Sequence, residues 1–116
     1  MAPRPGNWTS ICAEVFRRDK GICDVCGLDL NKDPESYECG HLVDRCAGGS
    51  DKLDNLRCMC ILCNRLKPVH DTLYQYAVWR SDVIFFSEVF PLSSAHVIVG
   101  MFGGDHEAFL ASARGG

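Results

Sequence analysis

The sequence lacks the apolar segments that direct a chain into or across a membrane. No apolar run among its 116 residues approaches the roughly 20 residues that a membrane-spanning helix needs. Residues 1–8 contain no apolar stretch of the kind found in a secretory signal peptide. These absences predict no membrane contact and favour an intracellular location, in the cytoplasm or in the nucleus of a host cell.

The chain also has little net charge and no repetitive sequence. The formal net charge is only −3, and residues 1–70 are neutral because they hold ten of the twelve Lys and Arg and ten of the fifteen acids. Any contact with nucleic acid must therefore depend on local basic patches. No repeat, low-complexity tract or linker is visible, and the length is that of one domain. We therefore predict a single domain over residues 1–116.

Cysteine, by contrast, is abundant and unevenly distributed. All eight cysteines lie within the first 63 residues. Two Cys-x2-Cys pairs, Cys23/Cys26 and Cys60/Cys63, are separated by 33 residues, an arrangement in which four thiolates close a tetrahedral zinc site. Such a site has no open position for water, so its predicted role is structural. Buried free thiols or disulfides are the alternative, although disulfides are typical of secreted chains.

Hydrophobic periodicity and turn residues divide the chain into helices and strands. A first helix is predicted over residues 8–19, with Asn7 or Thr9 as its cap and Gly21 as its stop. The further predicted elements are a strand over 37–44, a turn over 48–50, a return strand over 55–59, a short helix from Cys60 to Pro68, an amphipathic segment over 69–77, strands over 83–90 and 96–102, and a helix over 105–114. The predicted fold class is α+β.

The segment between and around the two thiol pairs carries a recognisable series of residues. In chain order these are Arg17-Arg18-Asp19-Lys20-Gly21, Cys23-x2-Cys26-Gly27, His41, Gly48-Gly49, Asn55-Leu56-Arg57 and Cys60-x2-Cys63-Asn64. In this series the chain resembles the HNH endonuclease family, the zinc-containing branch of the ββα-metal (His-Me finger) nucleases. The resemblance covers about residues 8–67. It implies a core in which a hairpin and a helix surround one divalent ion, followed by a mixed α/β extension over about 68–116.

The resemblance also implies a reaction, the metal-dependent hydrolysis of phosphodiester bonds in DNA. His41 would be the general base, since a neutral imidazole titrates near working pH. Asn55 would orient His41 through its amide, and Asn64 would offer an oxygen to a catalytic Mg²⁺ or Mn²⁺. The basic residues predicted to contact DNA phosphates beside the site are Arg45, Arg65 and Lys67.

One position departs from the family pattern. Family members commonly place Asp or a second His immediately before the catalytic histidine as a metal ligand, and here that residue is Gly40. Asp44 is the first candidate to replace it. The other candidates are Glu38, His70 and Cys39. Alternatively, Asn64, waters and the DNA phosphate hold the ion, or the site is weak or inactive.

Two other interpretations stay open. The first is a non-catalytic zinc-dependent module that binds DNA or recruits proteins as a RING-like scaffold, although the spacing around Cys46 and Cys58 fits eight ligands poorly. The second is a small stand-alone nuclease whose acidic C-terminal extension forms a homodimer. His96 and His106, which lie in that extension, are interpreted as structural or exposed.

Overall fold

A computed structural model of the chain describes residues 5–90 and 95–101. This part is mixed α+β with a two-stranded antiparallel sheet, which confirms the predicted class. The helices are α1 (Trp8–Arg18), α2 (Ile61–Leu66), α3 (Leu73–Val89) and α4 (Ala95–Met101), and the strands are β1 (Tyr37–His41) and β2 (Leu56–Cys60). Single 3₁₀ turns lie at Pro34–Ser36, Arg45–Ala47 and Leu53–Asn55.

Helix α1 has the predicted start and ends one residue early. Asn7 occupies the cap position, but its side chain makes no capping hydrogen bond. Val15 is fully buried on the face that packs against the core. The chain leaves the helix through Lys20 and Gly21, whose φ angles are 59° and 68°. A Cβ on Gly21 would lie 2.6 Å from Asn31 Nδ2, so glycine is needed there for both conformation and space.

Strands β1 and β2 form the hairpin that the sequence predicts, with shorter strands. Their antiparallel register sets Gly40 opposite Arg57 and His41 opposite Leu56. Strand β2 is almost wholly buried because both α1 and α2 pack against it. Strand β1 ends at His41, three residues earlier than predicted, because the next residues are bonded to Asn55 at the base of the loop.

The segments after residue 70 differ from the prediction. Residues 83–89 belong to α3 and residues 96–101 to α4, so the strands predicted over 83–90 and 96–102 are wrong. The Thr72 hydroxyl caps α3 by accepting a hydrogen bond from the Gln75 amide (3.1 Å). Helix α3 buries Tyr76, Trp79 and Val83 at helical spacing. Burial of this face outweighs the β propensity of the apolar run after residue 82.

The described part of the C-terminal extension is therefore helical and not a mixture of helices and strands. The helix predicted over 105–114 lies outside the described residues. Helix α4 packs against α2 and α3. Tyr76 donates to the Asp24 carboxylate (2.5 Å), and Arg80 donates to the Asp24 carbonyl (2.7 Å). These bonds fasten α3 to the turn between Cys23 and Cys26. No helix in the described ranges is long and apolar enough to cross a bilayer.

Candidate active site and metal centre

The two Cys-x2-Cys pairs meet in one cluster. Cys23 and Cys26 lie on the turn after α1, Cys60 ends β2, and Cys63 lies in α2. Their four sulfur atoms are all within 4.8 Å of one another, and the Cys26 and Cys60 sulfurs are 3.8 Å apart. A tetrahedral ion with metal–sulfur bonds of about 2.3 Å requires sulfurs about 3.8 Å apart. The cluster can therefore hold a metal ion, as the sequence predicts, and none of the eight cysteines is in a disulfide.

Contacts among the crowded sulfurs shift the pKa values of the cluster cysteines in opposite directions. Hydrogen bonding to the Cys23 sulfur raises the pKa of Cys26 to about 12. Contacts with Cys23 and Cys26, together with burial, raise the pKa of Cys63 well above its usual range. The Cys63 amide donates to the Cys60 sulfur (3.4 Å). Hydrogen bonds from Cys26 and Cys63 lower the pKa of Cys23 well below its usual range. Cys23 is therefore a thiolate beside the protonated Cys26 and Cys63, and a metal ion that binds all four sulfurs must release the protons of these two thiols.

A histidine of the C-terminal extension reaches this cluster. His96 on α4 places its Nε2 atom 3.3 Å from the Cys60 sulfur. The sequence interpretation of His96 as structural or exposed did not foresee this contact, because the position of α4 depends on tertiary packing. A hydrogen bond between the imidazole and this sulfur would orient the Cys60 side chain within the cluster.

His41 lies at the end of β1 in a partly buried setting. Its Nε2 is 2.7 Å from Asp51 Oδ1, and only 11% of its side-chain surface is exposed. The Trp8 indole is stacked on the imidazole, with ring centroids 5.7 Å apart and an interplanar angle of 9°. The cavity of about 270 Å³ beside it is lined, among the described residues, by His41, Asp44, Arg45, Cys46, Asn64 and Lys67. The structure thus brings His41, Asp44 and Asn64 to one cavity.

Asn55 is placed differently from its predicted role. Its side chain is buried, and its amide accepts from Val43 N (2.9 Å) and donates to Val43 O (3.0 Å) and Ser50 O (2.8 Å). These bonds hold the loop that follows His41. The imidazole itself is contacted by Asp51, a residue that the sequence analysis did not single out. Asn55 was expected to contact the imidazole, but its amide bonds the backbone of the loop instead.

Asn64 and Gly40 lie against one another. The Asn64 amide nitrogen donates to Glu38 Oε1 (3.1 Å), which leaves Oδ1 as the free end of the amide. A Cβ on Gly40 would come within 2.9 Å of Asn64 Oδ1 and would collide with the Met59 sulfur. The space that a family acid at position 40 would use is therefore already filled. This packing explains physically why glycine can stand there.

The cations predicted to contact DNA are not equally available. Lys67 donates to Asp44 Oδ1 (2.6 Å), and only 3% of its side-chain surface is exposed. Arg45 is 3.5 Å from Asp51 Oδ1 and 15% exposed. Arg65 is 69% exposed and pairs with Glu38 at 3.2 Å. Only Arg65 lies on the open surface as expected, while Lys67 and Arg45 form part of the cavity wall.

A second, catalytic ion would find few ligands from the chain. Among the described residues, only the four cysteines form a group of three or more His, Cys, Asp or Glu side chains able to hold an ion. His70 is buried against Tyr76 and Trp79 and does not line the cavity. The donors present are Asn64 Oδ1 and the Asp44 carboxylate. The Asp44 Oδ1 atom is already bonded to Lys67 Nζ (2.6 Å) and to the backbone N–H of His70 (3.2 Å).

Comparison with known proteins adds no relative. No family model, curated protein or solved structure matches the chain. The resemblance to HNH endonucleases therefore depends on the motif series in the sequence.

Proposed function

We propose that the protein is a metal-dependent DNA endonuclease with a ββα-metal core, in which His41 is the general base. The observation that carries this proposal is the meeting of His41 from β1 and Asn64 from α2 in one cavity. The cysteine cluster supports it, because Cys60 and Cys63 belong to the strand and the helix that present these two residues.

The reaction is the hydrolysis of one phosphodiester bond. His41 takes a proton from a water molecule, and the water oxygen forms a bond to phosphorus as the bond to the 3′-oxygen breaks. The leaving 3′-oxygen takes a proton from solvent, which gives 5′-phosphate and 3′-hydroxyl ends. Asn64 Oδ1 and Asp44 would hold Mg²⁺ or Mn²⁺, which supplies positive charge to the crowded phosphate. Arg65 contacts the DNA backbone, while Arg45 and Lys67 shape the wall of the cavity.

The ion of the cysteine cluster is zinc in this proposal, and its role is structural. Four thiolates leave no coordination position for water or substrate. Zinc would join the turn after α1 to the junction of β2 and α2, the helix that carries Asn64.

Plasmid cleavage tests the activity. Purified protein with Mg²⁺ or Mn²⁺ is expected to convert supercoiled DNA to nicked or linear forms, and His41→Ala and Asn64→Ala are expected to lose this activity. Lys32→Ala, at an exposed position outside the cavity, is the matched control. Equal zinc content and circular dichroism must show that the variants are folded. Persistent supercoiled DNA, or cutting by His41→Ala at the wild-type rate, contradicts the proposal.

A non-catalytic zinc-dependent binding module is the second candidate. The pairing of Lys67 with Asp44 and of Arg45 with Asp51 favours it, since these pairs reduce the charge available in the cavity. DNA binding without cleavage under any divalent metal would support it. The RING-like variant needs two zinc ions per chain, whereas one ion per chain supports the single-cluster arrangement.

A second copy of the chain is the proposed protein partner. Tyr74, Val78, Phe85 and Val89 form an exposed apolar row on α3, and the row has the same spacing read from either end. Two antiparallel copies of α3 would therefore set Tyr74 against Val89 and Val78 against Phe85, the self-complementary pattern of a two-fold interface. Light scattering after size exclusion should give a dimer for the wild type and a monomer for Phe85→Glu. A wild-type monomer would contradict this.

A further inference from the structure

The motif series predicts that Asn55 orients His41, but the side chain in contact with the imidazole is Asp51. We infer that Asp51 is a positioning residue, which holds His41 in the tautomer whose Nδ1 lone pair faces the cavity. The inference rests on the proposed function, because His41 must be the base for the tautomer to matter. It adds a residue and a direction of proton transfer to that function.

The geometry assigns the two ring nitrogens different tasks. Nε2 lies 2.7 Å from Asp51 Oδ1, with 11% and 20% of the two side chains exposed. A carboxylate only accepts hydrogen bonds, so the proton of a neutral imidazole belongs on Nε2. His41 lines the cavity with Asn64 and Asp44, whereas Asp51 is not among the described residues that line it. Because Nε2 is bonded to Asp51, Nδ1 is the ring nitrogen that remains to accept a proton from a water molecule in the cavity.

Asp51 is itself held in place by the loop that precedes it. Asn55 bonds the carbonyl of Ser50, the residue next to Asp51 (2.8 Å). The Gly49 amide donates to the Asp44 carbonyl (2.9 Å), and a side chain on Gly49 would collide with the Val43 backbone. A loop tied this closely fixes the carboxylate at its end, which is the support that a catalytic imidazole needs.

One face of the His41 imidazole is also covered by another ring. The Trp8 indole is stacked on it nearly in parallel. With Nε2 bonded at one edge and one face covered, rotation of the ring about its bond to Cβ would break both contacts. Asp51 thus selects the tautomer, and Trp8 helps to hold the plane of the ring.

The proton path follows from this arrangement. Nδ1 accepts the proton of the attacking water, which makes His41 an imidazolium, and the Nε2–H bond to the Asp51 carboxylate then becomes an ion pair between opposite charges. The imidazolium returns its proton to solvent when the products leave. The other charged groups at this end of the site are Arg45, 3.5 Å from the same carboxylate oxygen, and the pair of Asp44 with Lys67.

Ring-nitrogen NMR tests the inference without requiring activity. In ¹⁵N-labelled, zinc-loaded protein, the His41 signals are assigned by their disappearance in His41→Gln. We expect the Nε2–H tautomer in the wild type and a mixed or Nδ1–H population in Asp51→Asn, because an amide can also donate to Nε2. Asp54→Asn, at an exposed carboxylate of the same loop, should leave the tautomer unchanged. A wild-type Nδ1–H tautomer, or no change in Asp51→Asn, overturns the inference whether or not the protein cuts DNA.

Kinetics give a second, separable readout. Removing the carboxylate partner of a catalytic imidazole costs about 10²- to 10⁴-fold in rate, so Asp51→Asn is expected to lose activity on this scale. Asp51→Glu should recover part of the rate. A wild-type rate in Asp51→Asn contradicts the positioning role, whereas a wild-type rate in His41→Ala contradicts the proposed function.

A double variant distinguishes positioning from general support of the fold. If Asp51 acts through His41, Asp51→Asn should cause no further loss in the His41→Ala background. Full additivity of the two losses, or a fall in zinc content in Asp51→Asn, would show that Asp51 acts on the fold instead.

Discussion

The hairpin region and the C-terminal helices are stabilised by different forces. Around β1, β2 and α2, geometry is set by directional contacts, namely the cysteine cluster and the bonds of Asn55 and Asp51. Helices α3 and α4 are held mainly by burial of apolar side chains such as Trp79 and Val83. The stability of the hairpin region therefore depends on a few specific bonds, whereas that of the C-terminal helices depends on the packing of apolar side chains.

The two regions are nevertheless joined at the metal cluster. Asp24, which lies between Cys23 and Cys26, accepts hydrogen bonds from Tyr76 and Arg80 of α3. The Cys60 sulfur contacts His96 of α4. Loss of the metal should therefore release both regions, while damage to the helices should leave the metal bound.

Metal removal should have the largest effect. Structural zinc contributes apparent binding free energies of about 10–16 kcal/mol in small domains, so chelation or Cys23→Ser should abolish cooperative thermal unfolding monitored by circular dichroism. Protons compete with the metal for the thiolates, so metal retention should fall as pH falls. Cys46→Ser, at an exposed thiol, is the control. An unchanged melting curve after chelation would contradict the dependence of both regions on the metal.

A cavity in the helical region should have the next largest effect. Trp79 is 7% exposed, and truncating such a residue to alanine costs about 3–5 kcal/mol. Urea unfolding of Trp79→Ala should show this loss, with metal content still at the wild-type level. Val69→Ala, at an exposed valine outside the apolar row of α3, should change stability by about 0.5 kcal/mol or less. Parallel loss of metal in Trp79→Ala would show that the regions are not separable.

Loss of the Asn55 amide should have a moderate effect that is confined to the hairpin region. Asn55→Ala leaves the Val43 and Ser50 backbone groups without their partner, and a buried unsatisfied group costs roughly 1–3 kcal/mol. Urea unfolding measures the loss, and Asn7→Ala is the control because Asn7 makes no capping bond. Hydrogen exchange should increase in residues 42–55 and not in α3. Equal increases in hydrogen exchange in residues 42–55 and in α3 would show that Asn55 does not act on the loop alone.

The smallest effect should be a loss of stability at alkaline pH. Burial raises the pKa of the Cys39 thiol to about 12, well above its ordinary value. A group with a raised folded-state pKa contributes stability that is present below its unfolded pKa and is lost as pH rises toward the folded value. Stability should therefore fall from about pH 9 upward, and Cys39→Val should flatten this fall. Urea unfolding with metal retained measures it, and an unchanged slope in Cys39→Val would refute the assignment.

The sequence was informative where chemistry requires a fixed spacing. The two thiol pairs predicted one cluster, and the motif series predicted that His41 and Asn64 would lie near one another, because metal ligation and a hairpin leave few arrangements. Apolar patterns were less informative. The run after residue 82 suits a strand as well as a helix, and only the burial of Tyr76 and Trp79 on the same helical face decides between them.

Partners of buried polar groups could not be predicted either. Asp51 and Asp54 are both loop carboxylates in the sequence, and nothing in their neighbours shows that only the first reaches His41. The loop fold decides this, through bonds made by Asn55 to the backbone. The contact of His96 with Cys60 likewise depends on the position of α4, which no local pattern encodes.

The crowding around Gly40 constrains how this chain can evolve. A carboxylate at position 40 would displace the Met59 side chain and the Asn64 amide, because both occupy its place. Substitutions at positions 40, 59 and 64 are therefore expected to be epistatic. Met59 is fully buried in the core, so the repacking that an acid at position 40 requires would cost stability.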